Sequence, residues 1–196
     1  MGRPGGLRGP IFLSLLLTFI AGSAAAGGVD LKDLLSAGRV RVELTGAASI
    51  HAGRTDRHGD GVFTGSIEYE VPVLERLSLG AKLIPVLIYR EHRNDDDRTS
   101  SKTVYGGGAG LAGRVYRVKN AWNGWFAEAS GSVLWHSRYI EDNTSRVNFF
   151  LEGGIGYKFR ENNWHVAVKF QHLSNGGITS HNAGFNGVAM AVGYTF

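Results

Sequence analysis

The sequence contains no cysteine, only four prolines, and a single sustained apolar run near its start. Without cysteine, a disulfide framework, a thiolate nucleophile and cysteine-held metals are all excluded. Scarce proline leaves room for long uninterrupted strands. The apolar run, Ile11 to Ala21, is shorter than the ~20 residues a helix needs to cross a bilayer, and no later segment qualifies. Arg3 and Arg8 precede the run, and the small residues Ala24, Ala25 and Ala26 follow it. This order of positive, apolar and small residues predicts a cleaved signal peptide over residues 1–26. Residues 27–196 are then expected to form one domain, long enough for a single fold and short for two. A dominant charge is also missing. Lys and Arg total 21 against 17 Asp and Glu, and loss of Arg3 and Arg8 narrows the excess further. Such a balance does not call for a nucleic-acid partner.

Glycine and aromatic residues, by contrast, are abundant: 29 Gly, 4 Trp, 7 Tyr and 10 Phe. They are distributed over stretches in which apolar and polar residues alternate, the period of a half-buried strand. Eight such stretches are predicted at 39–52, 61–73, 77–90, 103–118, 122–137, 146–160, 163–174 and 183–196. In the sixth, Val147, Phe149, Leu151, Ile155, Tyr157 and Phe159 share one face, while Arg146, Asn148, Glu152, Lys158 and Arg160 share the other. The second sets Phe63, Ile67, Tyr69 and Val71 against Glu68 and Glu70. In the seventh, Trp164, Val166, Val168 and Phe170 oppose His165, Lys169 and Gln171. A soluble sandwich would also alternate. Polar faces that carry both acids and bases, with glycine recurring along the strands, instead suit a narrow barrel with lipid outside and paired charges within. Connections alternate too. Those at 53–60, 91–102, 139–145 and 175–182 are long or very polar, while 72–76, 119–120 and 160–162 are short. The expectation is an all-β fold, an eight-stranded antiparallel transmembrane β-barrel of a Gram-negative outer membrane. Its terminal Phe196, closing an alternating strand, fits the same class.

One run departs from its face. His172 and Ser174 have the parity of Trp164, Val166, Val168 and Phe170, so both are expected on the lipid-facing surface at the outer end of the seventh strand. Lipid gives polar side chains no compensating hydrogen bonds. Asn186 has the parity of Val188, Met190 and Val192 on the last strand, so pairing of the last two strands would bring it near His172. A serine, a histidine that takes its proton and a third group that orients the imidazole make a nucleophilic catalyst. A neighbouring Gly- and Asn-rich loop is a source of oxyanion donors.

The segment His172-Leu173-Ser174-Asn175-x-Gly177, with its spacing to Asn182, resembles the lipid A 3-O-deacylase family, PagL, also described as acyloxyacyl hydrolases. The resemblance extends more loosely over nearly the whole chain. It implies an outer-membrane esterase that acts on lipid A, within lipopolysaccharide of the outer leaflet, without cofactor or metal. Ser174 would be the nucleophile and His172 the general base, with Asn175, Gly177 and Asn182 in the active-site loop and oxyanion region. Family members carry a glutamate where this chain has Asn186. An amide can orient a histidine but brings no negative charge, and Glu128 and Glu152 both have inward parity.

Other readings stand beside this one. The chain is also compatible with a non-catalytic barrel of the same shape, with a homodimer, and with a soluble periplasmic β-protein. His51, His58, His92, His136, His165 and His181 lack the spacing of a zinc site. Of these, His136 and His165 are expected inside, His58 and His92 in solvated loops, and His181 as an alternative partner for Ser174. The loop bearing Asp95, Asp96 and Asp97 between Arg90, Arg93 and Arg98 reads as a solvated face, or as a site for phosphates and divalent cations. Gly106, Gly107 and Gly108 lack the helix and lysine of a phosphate loop and are expected to permit close strand packing or a bend.

Overall fold

A computed structural model describes residues 36–51, 57, 59–92, 102–140 and 142–196. From Arg39 onward these residues form one closed antiparallel barrel in sequence order. The strands are β1 (Arg39–Ser49), β2 (Gly61–Pro72), β3 (Leu77–Arg90), β4 (Thr103–Tyr116), β5 (Gly124–His136), β6 (Val147–Lys158), β7 (Trp164–Ser174) and β8 (Phe185–Thr195). Each coincides with a stretch expected from alternation, shortened by up to three residues at its ends. The predicted signal peptide and the acidic run at Asp95 lie outside the described residues, as does His58. The short turn expected at 119–120 is longer, covering 117–123, because Asn120 and Trp122 take left-handed backbone conformations (φ 52° and 47°) that end the ladder on both sides.

Alternation sorts the side chains inside out. Leu44, Ile67, Leu83, Leu111, Leu151, Ile155, Val168 and Met190 are exposed on the outside. The acids and bases of the opposite faces are buried within. In the middle of the barrel Arg114 pairs with Glu68 (Nη2 to Oε2, 2.7 Å) and with Glu128 (2.9 Å). Lys169 contacts Glu43 at 2.5 Å and Glu128 at 2.9 Å, and Lys82 pairs with Glu152. Toward the long loops the interior turns apolar, with Val62, Ile84, Leu87, Val104, Leu134, Phe150, Leu173 and Phe185 packed together. At the short-turn end Tyr116, Phe126 and Trp122 close it. The barrel is filled along its axis by side chains, so the outside surface and the loops are where it meets other molecules.

Strand β3 is irregular. Its pairing shifts between Ile84 and Leu87 against β4, and its inward positions change from Ser78, Gly80, Lys82 and Ile84 to Leu87 and Tyr89. Pro85 lies at the shift, where its missing N–H costs no ladder bond. The change of parity turns Tyr89 inward, and its hydroxyl donates to Asp60 Oδ2 at 2.5 Å. Opposite the bulge stand the three glycines of β4. A Cβ on Gly107 would lie 2.8 Å from the Ile84 carbonyl oxygen, and one on Gly106 would lie 2.6 Å from that of Trp135. Close backbone approach is therefore what these glycines permit.

Candidate active site

The register between the last two strands sets His172 directly opposite Asn186. Both side chains face outward and are half-buried, as is Ser174 two residues along β7. The His172 Nδ1 lies 2.8 Å from Asn186 Oδ1, and its Nε2 lies 3.0 Å from Ser174 Oγ. Because an amide oxygen only accepts, the first contact puts the imidazole proton on Nδ1. The Nε2 lone pair is then left facing the Ser174 hydroxyl, which donates to it. Serine, histidine and amide thus form a continuous relay on the outer wall of the barrel. On the β6 side His172 is opposite Leu151 and Ser174 is opposite Phe149, so that flank is apolar.

The other predicted residues sit in the loop that joins β7 to β8. Asn175 has inward parity and is fully buried. Its Nδ2 donates to Asn143 Oδ1 (3.1 Å), Thr179 Oγ1 (2.7 Å) and the His181 carbonyl (2.8 Å). Its Oδ1 accepts from the Gly177 N–H at 2.8 Å, while its own N–H donates to Asn182 Oδ1 at 2.8 Å. The donors of Asn175 and Gly177 are therefore committed to the loop itself and are not offered to a developing oxyanion. A left-handed backbone at Gly176 and Gly177 (φ 62° and 81°) is the local reason for glycine there. Asn182, exposed, has its oxygen held by Asn175, which leaves its Nδ2 outside that bond. The ring of His181 is paired with Ser180 Oγ at 3.2 Å rather than with Ser174. Expected inside, His136 and His165 are indeed fully buried.

Three features of the site escaped the sequence reading. Asn143, in the β5–β6 loop and almost wholly buried, accepts from Asn175 and donates to Asn148 Oδ1 at 2.7 Å. Its backbone bridges Asn182, and the Ala183 N–H donates to the Asp142 carbonyl at 2.9 Å. The β5–β6 loop is thus stitched to the loop carrying the site. Arg57, from the β1–β2 connection, donates to the Ala183 carbonyl at 3.2 Å. Gly184, opposite Ser174, is the third. Nothing local in the sequence marks any of them, because their bonds to the site loop come from distant connections or, for Gly184, the effect comes from the absence of a side chain.

A profile of the family described as Lipid A 3-O-deacylase (PagL) matches residues 88–195, a span that holds His172, Ser174 and Asn186. No curated protein sequence matches the chain. Among solved structures, that of the outer membrane enzyme PagL aligns with a TM-score of 0.56 at 16% identity, covering 79% of this chain and 98% of that one. The outer membrane protein OprG from Pseudomonas aeruginosa aligns with a TM-score of 0.50 at 8% identity, covering 81% and 95%. At these identities the two structures establish a shared barrel fold.

Proposed function

The chain belongs to the lipid A 3-O-deacylase (PagL) family, and from that premise we propose that it is an outer-membrane esterase that removes the 3-O-linked acyl chain of lipid A. The observation that carries this reading is the relay from Ser174 Oγ through His172 to Asn186, at 3.0 Å and 2.8 Å. Its position on the outer wall supports the substrate class. Ser174 stands ten residues along β7 from Trp164, whose ring packs on Tyr194 with centroids 5.3 Å apart. At ~3.4 Å per residue and a tilt of ~40°, that separation is about 26 Å across the membrane, close to the ~25 Å apolar band of such barrels. Trp164 and Tyr194 then belong to the periplasmic aromatic girdle, and Ser174 lies at the outer rim where the ester-linked acyl chains of lipid A meet its sugars.

In the first half of the reaction Ser174 Oγ attacks the ester carbonyl as its proton passes to His172 Nε2. The tetrahedral intermediate collapses, the C–O bond to the sugar breaks, and His172 returns the proton to the departing sugar oxygen. Water then attacks the acyl-serine with the same histidine as base, releasing the fatty acid and the free serine. The Nδ2 of Asn182 is the side-chain donor assigned to the oxyanion. Asn175 and Gly177 hold the loop in place. The site is assembled within one chain, and no homodimer is proposed.

Mass spectrometry of lipid A from cells producing the wild type tests the reading. Loss of one 3-O-acyl chain is expected, and Ser174→Ala should abolish it at equal levels of inserted protein. Identical lipid A from both would sink the enzymatic reading. A second reading, a barrel whose catalyst has been retired, is favoured by one observation: the amide of Asn186 where the family carries a glutamate.

A further inference from the structure

Gly184 faces the same side of the wall as the relay, one step beyond the Leu173–Phe185 pair. Its φ is not positive, so the backbone does not call for glycine. What a side chain there would meet is informative. A Cβ at 184 would lie 3.5 Å from Ser174 Cβ and 3.5 Å from His172 Cε1, and 3.0 Å from the Leu173 carbonyl oxygen. Cross-strand Cβ atoms ordinarily stand ~4.5–5.5 Å apart. The Cβ itself would therefore stand in van der Waals contact with the serine and the imidazole edge. On the opposite flank Phe149 and Leu151 already wall Ser174 and His172. The strand is also held firmly at this point, because Arg57 binds the carbonyl of Ala183 and the Ala183 N–H binds the Asp142 carbonyl. It cannot easily withdraw to make room for a larger residue.

We infer that Gly184 is a specificity-determining residue: its missing side chain is the clearance that admits the acyl segment next to the scissile carbonyl. This rests on the proposal that Ser174 is the nucleophile. An ester approaching Ser174 between Phe149 and β8 carries two substituents at its carbonyl, the sugar oxygen and the acyl chain. The sugar side must remain toward the loops and solvent, whereas the chain must descend along the apolar wall. Gly184 is level with Ser174, so the acyl carbons next to the carbonyl, with the hydroxyl of a 3-hydroxyacyl group, lie beside position 184 before the chain descends. A two-carbon acyl group places only its methyl carbon there and needs little of that room.

The test compares two esters on one protein, purified in detergent and assayed on its heat-modifiable, folded fraction. The probes are p-nitrophenyl acetate and lipid A bearing 3-O-hydroxyacyl chains. Gly184→Ala is expected to keep acetate hydrolysis within about two-fold while lipid A deacylation falls about 10-fold; Gly184→Val should lose more, the scale on which single methyl groups are discriminated in apolar sites. A single methyl shifts its neighbours by only a few tenths of an ångström, so the alanine variant keeps the test open if the valine variant does not fold. Equal losses on both esters, or no loss on lipid A, overturn the clearance role. Ser174→Ala separates this failure from that of the premise: if it hydrolyses both esters as fast as the wild type, or the wild type hydrolyses neither, the nucleophile assignment falls and Gly184 falls with it.

Discussion

An amide at position 186 alters one half of what the third member of a serine relay does. Holding the imidazole in a single tautomer needs only an acceptor at Nδ1, and Asn186 Oδ1 supplies it at 2.8 Å. Stabilising the imidazolium that forms when Ser174 gives up its proton needs a negative charge, which an amide lacks. Glu128 and Glu152 cannot stand in, since both are buried inside the barrel on Arg114, Lys169 and Lys82. Asn186→Glu should therefore raise the deacylation rate by about 10-fold, the difference between a charge-assisted hydrogen bond and a neutral one. Steady-state release of fatty acid from lipid A measures it. A fall instead would mean that the site is built around the amide.

Among the elements, the two loops that flank the relay are bonded to each other as well as to their own strands. Asn148, Asn143 and Asn175 make a buried ladder of amides, continued by the Asn143–Asn182 bridge. Asn143→Ala leaves Asn148 Oδ1 without its partner, a buried loss worth about 1–3 kcal/mol. The barrel does not depend on that bond, so the effect is expected on the loop. Deacylation should drop about 10-fold while the heat-modifiable shift on gels is unchanged. Loss of both together would assign Asn143 to the fold alone. Alternation alone had made the strands legible, because period two survives almost any tertiary context. It did not reveal the change of face in β3, where Pro85 and its bulge reset the parity of Tyr89. Nor did it reveal which asparagine of the β5–β6 loop reaches Asn175, since that contact spans 32 residues.

At the scale of the whole molecule, the barrel stands on an interior of interlocked charges between two apolar layers. Arg114 contacts Glu68, Glu70 and Glu128 from a fully enclosed position. Buried pairs of this kind add little over an apolar replacement of the whole set, but removing one partner strands the others. Arg114→Met should destabilise the barrel by about 3–5 kcal/mol, read as a lower urea midpoint for loss of the heat-modifiable form in lipid bilayers. Ser174 is remote from this layer, so the folded fraction should keep its esterase rate. A stable Arg114→Met barrel would mean that the carboxylates find other cations in the interior.

From the sequence by itself came the strand count, the two faces, and the outward parity of His172, Ser174 and Asn186. These follow from the two-residue repeat of an extended chain, which needs no partner to be defined. Whether the three side chains meet was decided by the β7–β8 register, since a slip of one residue would turn Asn186 into the barrel. That register depends on the length and bonding of the 175–184 loop, and so on Asn143 and Arg57 from distant connections. The clearance at Gly184 belongs to the same level: a missing side chain acquires meaning only when the fold sets something beside it.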